Sequence, residues 1–159
     1  MSSNPNPAFM QRAIELATEN VHNGLGGPFG AVIVKNDRII GEGANLVTAT
    51  NDPTAHGEII AIRNACQAIA SFSLQACAIY TSCEPCPMCL GAIYWARPAG
   101  VIYGASAADA AAAQFDDAFI FREIAQPTRL RKIPMSQVMR EEALVAFRAW
   151  LDKSDRVRY

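Results

Sequence analysis

Two short segments carry residue types that bind soft metals. Ala55-His56-Gly57-Glu58 offers an imidazole and, two residues on, a carboxylate, and Cys86-Pro87-Met88-Cys89 offers two thiols. Side chains three apart lie on nearly one face of a helix, so Cys86 and Cys89 converge if a helix begins there. The positive end of that helix's dipole also favours thiolates. Two thiolates and one imidazole make three ligands of a tetrahedral zinc site with a fourth position left for water. Such a site activates water near neutral pH. Glu58 is harder to place, because each helical residue turns about 100° and mid-helix the spacing would point it away from His56. The two converge only if His56 lies in the very first turn, and Thr54 as the helix cap puts it there. Glu58 can then take a proton from the activated water and pass it to a leaving group.

Each piece has a plainer reading. A lone Cys-x-x-Cys can be a pair of core thiols, half of a structural zinc site or a redox pair, and a lone His-x-Glu is usually a surface or satisfied histidine. The two together, each at the start of an expected helix and each after a strand region, favour a catalytic zinc centre. Cys83 and Cys86 repeat the Cys-x-x-Cys spacing, and a third thiolate would close the site and make it structural. The proline before Cys86 and the helix after it favour His56, Cys86 and Cys89 as ligands, with Cys83 a small buried thiol nearby.

The elements that must hold these residues follow from periodicity. Ala8 to His22 reads as a helix with Phe9, Ile14, Leu16, Ala17 and Val21 on its apolar side and Asn23-Gly24 as its stop. Phe29 to Val34 and Arg38 to Gly43 read as a hairpin about Asn36-Asp37. A helix capped by Thr54 runs to about Ala70, Cys77 to Thr81 is a short strand, and a helix starts near Pro87 and ends before Pro98. Val101 to Gly104 is a further strand, Ala107 to Ala113 is helical, and an amphipathic helix covers Ser136 to Trp150 ahead of a charged tail, Asp152 to Tyr159. This order predicts an α/β layered domain whose mixed sheet carries helices on both faces.

Composition narrows the class. The 159 residues fit one domain, 51% hydrophobic and 18% charged, as expected of a folded protein. No apolar run is long enough for a membrane span and the N-terminus lacks a secretory pattern, which predicts a cytoplasmic protein with no membrane partner. Five cysteines, an odd number, argue against a disulfide framework. Fourteen basic residues face fifteen acidic ones with no basic run, which argues against a nucleic-acid partner.

The pairing of His-x-Glu with Pro-Cys-x-x-Cys is a known signature of zinc deaminases, and the chain resembles the cytidine and deoxycytidylate deaminase superfamily over nearly its whole length. The resemblance is carried by Gly26-Gly27-Pro28-Phe29-Gly30-Ala31-Val32, Asn51-Asp52-Pro53-Thr54-Ala55-His56, Thr81-Ser82-Cys83-Glu84-Pro85-Cys86-Pro87-Met88-Cys89, Tyr94-Trp95-Ala96-Arg97-Pro98 and Phe115-Asp116-Asp117. The last two segments draw it toward the bacterial branch that acts on guanine. The resemblance implies a three-layer α/β/α fold with a five-stranded mixed sheet, one zinc ion per subunit, and hydrolysis of guanine at C2 to xanthine and ammonia. It implies that Phe29 stacks on the purine, that the Asn45 amide bonds to its edge and that the Gly57 N–H meets its carbonyl. It further implies that Asp117 accepts from the amino and ring N–H groups and helps carry a proton, and it places Trp95 at the substrate. A carboxylate is acceptor-only, which suits the adjacent donors of guanine. The plainer roles are core packing for Phe29 and Trp95, a turn for Asn45, and a cap on a short helix beginning at Ala118 for Asp116 or Asp117.

Relatives of this kind exchange C-terminal segments in a homodimer, with a terminal tyrosine closing over the other subunit's pocket. The resemblance therefore gives Tyr159 a lid role and marks residues 136–159 as the exchanged segment. Gly57 departs from the family, which more often has alanine there. The missing methyl predicts a roomier pocket open to other aminopurines, aminotriazines, cytosine-type bases or a nucleoside such as guanosine. The competing readings are a deaminase of adenosine in transfer RNA, a zinc-stabilised binding module without turnover, and a thiol redox protein, which would leave His56 and Glu58 unexplained.

Overall fold

Asn6 opens the first helix, α1 (Pro7–His22), by accepting the Ala8 N–H, and Pro7 fills the first turn where a missing N–H costs nothing. The hairpin of β1 (Gly30–Lys35) and β2 (Arg38–Ala44) follows. Asn36 and Asp37 at its turn both adopt left-handed backbone, φ 50° and 56°, as the twist of a two-residue hairpin requires. A one-turn helix, α2 (Val47–Thr50), leads to α3 (Gly57–Ala68). Then come β3 (Ala78–Cys83), α4 (Pro87–Ala96), β4 (Gly100–Ala105), α5 (Ala107–Ala112), α6 (Ala118–Ala125) and α7 (Arg140–Asp152). The computed structural model describes residues 5–158.

The sheet runs in the order β2-β1-β3-β4, with β1 antiparallel to both β2 and β3, and β3 parallel to β4 across the α4 crossover. The resemblance implies five strands, but among the described residues there are four. Beyond α6 the described residues form no strand but a 3-10 turn, Thr128–Leu130, flanked by Pro127, and prolines there and at 134 remove ladder donors.

Strand β1 is buried on both faces because helices cover both. Ala31, Ile33, Ile79, Leu74 and Cys77 pack with Ala61 and Ala65 of α3 and Ile93 and Ala96 of α4, while Val32, Val34 and Tyr80 pack with Phe9, Met10 and Leu16 of α1. Each fully buried branched side chain here stabilises the fold by roughly 1.5–3 kcal/mol. The seat of α3 is set by glycines. A Cβ at Gly41 would stand 2.6 Å from the Ala61 carbonyl oxygen, and one at Gly43 would stand 2.3 Å from that of Gly57. The small residues Gly57, Ala61 and Ala65 therefore lie directly on β2, and the start of α3 is held close to the sheet.

The chain divides into two compact units, residues 1–118 and 119–159. The second holds most of α6, the 3-10 turn and α7. Within it Arg131 donates to the carbonyl oxygens of Ile124 and Gln126, and the Lys132 N–H donates to Glu123 Oε2. Among its described residues no side chain is buried, and Ile133, Val138, Phe147 and Leu151 are all exposed. The last helix begins four residues later than periodicity suggests, at Arg140 rather than Ser136. No helix among the described residues is long and apolar enough to cross a membrane.

Candidate metal centre and active site

His56 and Cys86 occupy equivalent positions. Each is the N-cap of its helix, His56 of α3 and Cys86 of α4, with extended backbone and no capping bond from its side chain. The cap expected at Thr54 is not made, because the Thr54 hydroxyl and N–H both donate to Asp52 Oδ1 in a local turn. The helix therefore starts at Gly57, and His56 sits one step before its first turn. From there its ring reaches over the helix end, which is the only way a residue two short of Glu58 can share its site.

The imidazole Nδ1 of His56 lies 3.6 Å from Cys86 Sγ and 3.5 Å from Cys89 Sγ, and the three potential ligand atoms all lie within 4.8 Å of one another. Zinc bonds of about 2.3 Å to sulfur and about 2.05 Å to nitrogen, set at a tetrahedral angle, give an S···N edge of about 3.6 Å. The spacing and the donor chemistry both fit zinc. Cys83 stands outside the cluster, its buried thiol directed at the Ser106 carbonyl oxygen 3.6 Å away, so the sphere is not closed by a third thiolate.

The electrostatics of the cluster favour negative charge on Cys86, whose thiol is held down to about 4 by the hydrogen bond from Cys89 and then by His56, against the cost of burial. Cys89 is pushed the other way by donating to Cys86 and by burial, and His56 is raised chiefly by its bond to Cys86. A divalent cation relieves this competition by accepting both sulfurs as thiolates. Glu58, 6% exposed, receives the Thr81 hydroxyl on Oε1 at 3.3 Å, and its Oε2 lies 3.4 Å from Cys89 Sγ. Its burial raises its carboxyl above the ordinary range.

A cavity of about 660 Å³ opens over this cluster, within the size range of small-molecule sites. Its walls include Phe29, Asn45, Phe115 and Asp117 together with His56, Glu58 and Cys86. Phe29 and Phe115 meet edge to face with centroids 4.9 Å apart. Burial raises the Asp117 carboxyl, and the charge on Cys86 adds to the shift. Asp116 accepts the Ala118 N–H at the start of α6 at 2.9 Å, and both Asp116 and Asp117 lie on the cavity wall.

The structure does not bring every expected residue to this cavity. Trp95 is 65% exposed on α4 and absent from the walls, and Tyr159 lies outside the described residues. Gly57 is buried at the first position of α3, where its N–H has no partner within the helix. Its missing methyl does not enlarge the pocket. A Cβ there would stand 3.2 Å from the Phe29 carbonyl oxygen and 3.3 Å from that of Gly43, against strand backbone. Three contributors were not identified from sequence: Phe115 as a wall, Thr81 against Glu58, and Asn20 behind Asn45. An isolated threonine in a strand or asparagine in a helix carries no spacing signal.

The chain belongs to the cytidine and deoxycytidylate deaminase family: residues 3–105 match the model of its zinc-binding region. Among individual proteins it is similar to the guanine deaminase of Bacillus subtilis (strain 168), 56% identical over 95% of this chain and 97% of that one. The X-ray structure of guanine deaminase from Bacillus subtilis superposes with a TM-score of 0.94 at 54% identity, over 98% of this chain and 99% of that chain. The tRNA-specific adenosine deaminase of Haemophilus influenzae is 46% identical over 62% of this chain and 57% of its own length. A solved structure in complex with 2,6-diaminopurine has a TM-score of 0.66 at 33% identity, over 69% of this chain and 61% of that chain.

Proposed function

We propose that this protein is a guanine deaminase, replacing the 2-amino group of guanine by hydrolysis to give xanthine and ammonia. One observation carries the reading: a single cavity joins a zinc-type ligand triad and a buried carboxylate to walls of opposite hydrogen-bonding character, Asn45 and Asp117. The similarity to a guanine deaminase over nearly the whole chain supports it.

His56, Cys86 and Cys89 would hold the zinc ion, which would supply the Lewis acidity that makes water a nucleophile near neutral pH. Glu58, with its carboxyl raised by burial, takes up the proton released as the new C2–O bond forms and delivers it to the amino nitrogen as the C2–N bond breaks. Asp117 accepts from the amino group and ring N1–H, and helps carry a proton to the departing ammonia. Phe29 stacks on the purine, Asn45 bonds to its edge, and the Gly57 N–H meets its carbonyl oxygen.

Trp95 and Tyr159 complete the site across a subunit interface, in a homodimer of single deaminase domains that exchange residues 136–159. The exposed apolar side chains of the 119–159 unit support this, because so small a unit with no buried core is not stable without a partner surface. The cytoplasm, a reducing compartment, suits a site built on free thiols.

Ammonia release from guanine by purified, zinc-loaded protein tests the reading, with Glu58→Ala alongside. Turnover by the wild type and none by a variant that keeps its zinc is the expected result. Release from adenosine or cytidine but not from guanine would overturn it.

A further inference from the structure

Asn20, near the end of α1, is buried at 3% exposure. Its Nδ2 donates to the Gly27 carbonyl oxygen at 2.9 Å and to the Asn45 carbonyl oxygen at 2.7 Å, which commits both amide protons. A buried amide without such partners is strongly unfavourable, so the position is defined by what it holds. Asn20 is not itself on the cavity wall.

What it holds is Asn45. The Asn45 Oδ1 accepts the Gly27 N–H at 3.2 Å and the Val47 N–H at 3.3 Å. Backbone N–H groups can only donate, so they fix which way the amide points: its oxygen is turned to the backbone, and Nδ2, a pure donor, is the group left for the cavity. Gly26 allows this close approach. A Cβ at that position would stand 2.2 Å from the Asn45 carbonyl oxygen and 2.8 Å from its Oδ1. Asn20, the Gly26-Gly27 loop and Asn45 therefore form one unit, and moving any member moves the donor.

We propose that Asn20 is a positioning residue for substrate recognition. It holds the Asn45 amide so that the cavity presents a hydrogen-bond donor on one wall, facing an acceptor on the ring, while Asp117 presents an acceptor on another. The inference rests on the cavity being a purine site. Acting through Asn45, Asn20 governs how tightly the ring is held and not the chemical step.

Asn20→Asp keeps the shape of the side chain but turns an oxygen toward two carbonyl oxygens, and Asn20→Ala removes the contact altogether. In each, KM for guanine rises about tenfold while kcat stays within about threefold and zinc content is unchanged. In an Asn45→Ala background the same substitutions add nothing further to KM, because the residue they act through is gone. An unchanged KM in the single variants, or a full tenfold rise on top of Asn45→Ala, overturns the proposal. A readout on the wild type needs no folded variant and no turnover. The Asn20 carboxamide protons should exchange with solvent at least about a hundredfold more slowly than those of a free amide, and exchange at the free rate overturns it too. If guanine is not a substrate at all, the proposed reaction fails, while this exchange rate still reports on whether Asn20 is locked against Asn45.

Discussion

Thr81 donates its hydroxyl to Glu58 Oε1 across 3.3 Å, with the threonine 1% and the glutamate 6% exposed. The bond fixes one carboxylate oxygen from the sheet side, so the carboxylate proposed as the proton carrier has its orientation already set. Thr81→Val keeps the shape and removes the donor. We expect kcat for ammonia release to fall about tenfold, KM to change little, and zinc content to stay the same, with Thr81→Ser recovering most of the loss. Glu58→Gln should cost far more, about 10²–10⁴ in kcat. A Thr81→Val protein with wild-type kcat would show that the hydroxyl does not orient the carboxylate.

The metal assignment separates three cysteines that look alike in the sequence. Cys86 and Cys89 stand 3.6 and 3.5 Å from His56 Nδ1, whereas Cys83 turns to the Ser106 carbonyl oxygen. Metal analysis of purified variants should find zinc retained by Cys83→Ser and lost by Cys86→Ser and Cys89→Ser. Stripping zinc from the wild type with a chelator should lower its melting temperature, because an ion that binds only the folded state stabilises it by mass action. Equal zinc loss in all three variants would mean that Cys83 belongs to the coordination sphere.

Substrate range should not depend on residue 57 in the way its missing methyl first suggests. The methyl of Gly57→Ala would face the carbonyl oxygens of Phe29 and Gly43 at 3.2 and 3.3 Å, so strand backbone must give by a few tenths of an ångström. We expect a small change in stability, about 1 kcal/mol in either direction, since strain and the lower flexibility of alanine oppose each other. The ratio of guanine turnover to that of other aminopurines should stay within about threefold of wild type. A large narrowing of the substrate panel would show that the methyl reaches the cavity after all.

The metal centre was legible because its chemistry depends on spacing along the chain. Cys86 and Cys89 are one helical turn apart, and His56 with Glu58 makes sense only at a helix start, which is where α3 places them. The cap expected at Thr54 fails for a physical reason: Thr54 has a nearer partner in Asp52 than the helix N–H groups. Hairpin, crossover and layers follow from period and turn residues, while the five strands that the resemblance implies exceed by one the four found among the described residues. Residues that act from behind the site stayed hidden, since nothing in the sequence says that Asn20 meets Asn45 or that Thr81 meets Glu58. Those contacts arise only when α1, β2, α3 and β3 are stacked.

Acid should weaken one link between these layers. Arg12 of α1 grips Glu42 of β2 with two parallel bonds, Nε to Oε1 and Nη2 to Oε2, both 2.9 Å. The hydrogen bond to Arg12 holds the Glu42 carboxyl below its ordinary value of 4.5, against the effect of burial. A carboxyl lowered on folding contributes stability that is present above its unfolded value and lost as pH falls through its folded one. The side chains are 32% and 37% exposed, so solvent screening limits the contribution to about 0.5–1 kcal/mol. Denaturant melts of wild type and Glu42→Gln should therefore differ by that amount at about pH 6–7 and converge as pH drops below about 4.5. The comparison is a difference, so metal loss in acid, common to both proteins, cancels. Raising salt should shrink the gap at neutral pH. A gap that stays constant into acid would mean that the stabilisation comes from packing of the two stems rather than from their charges.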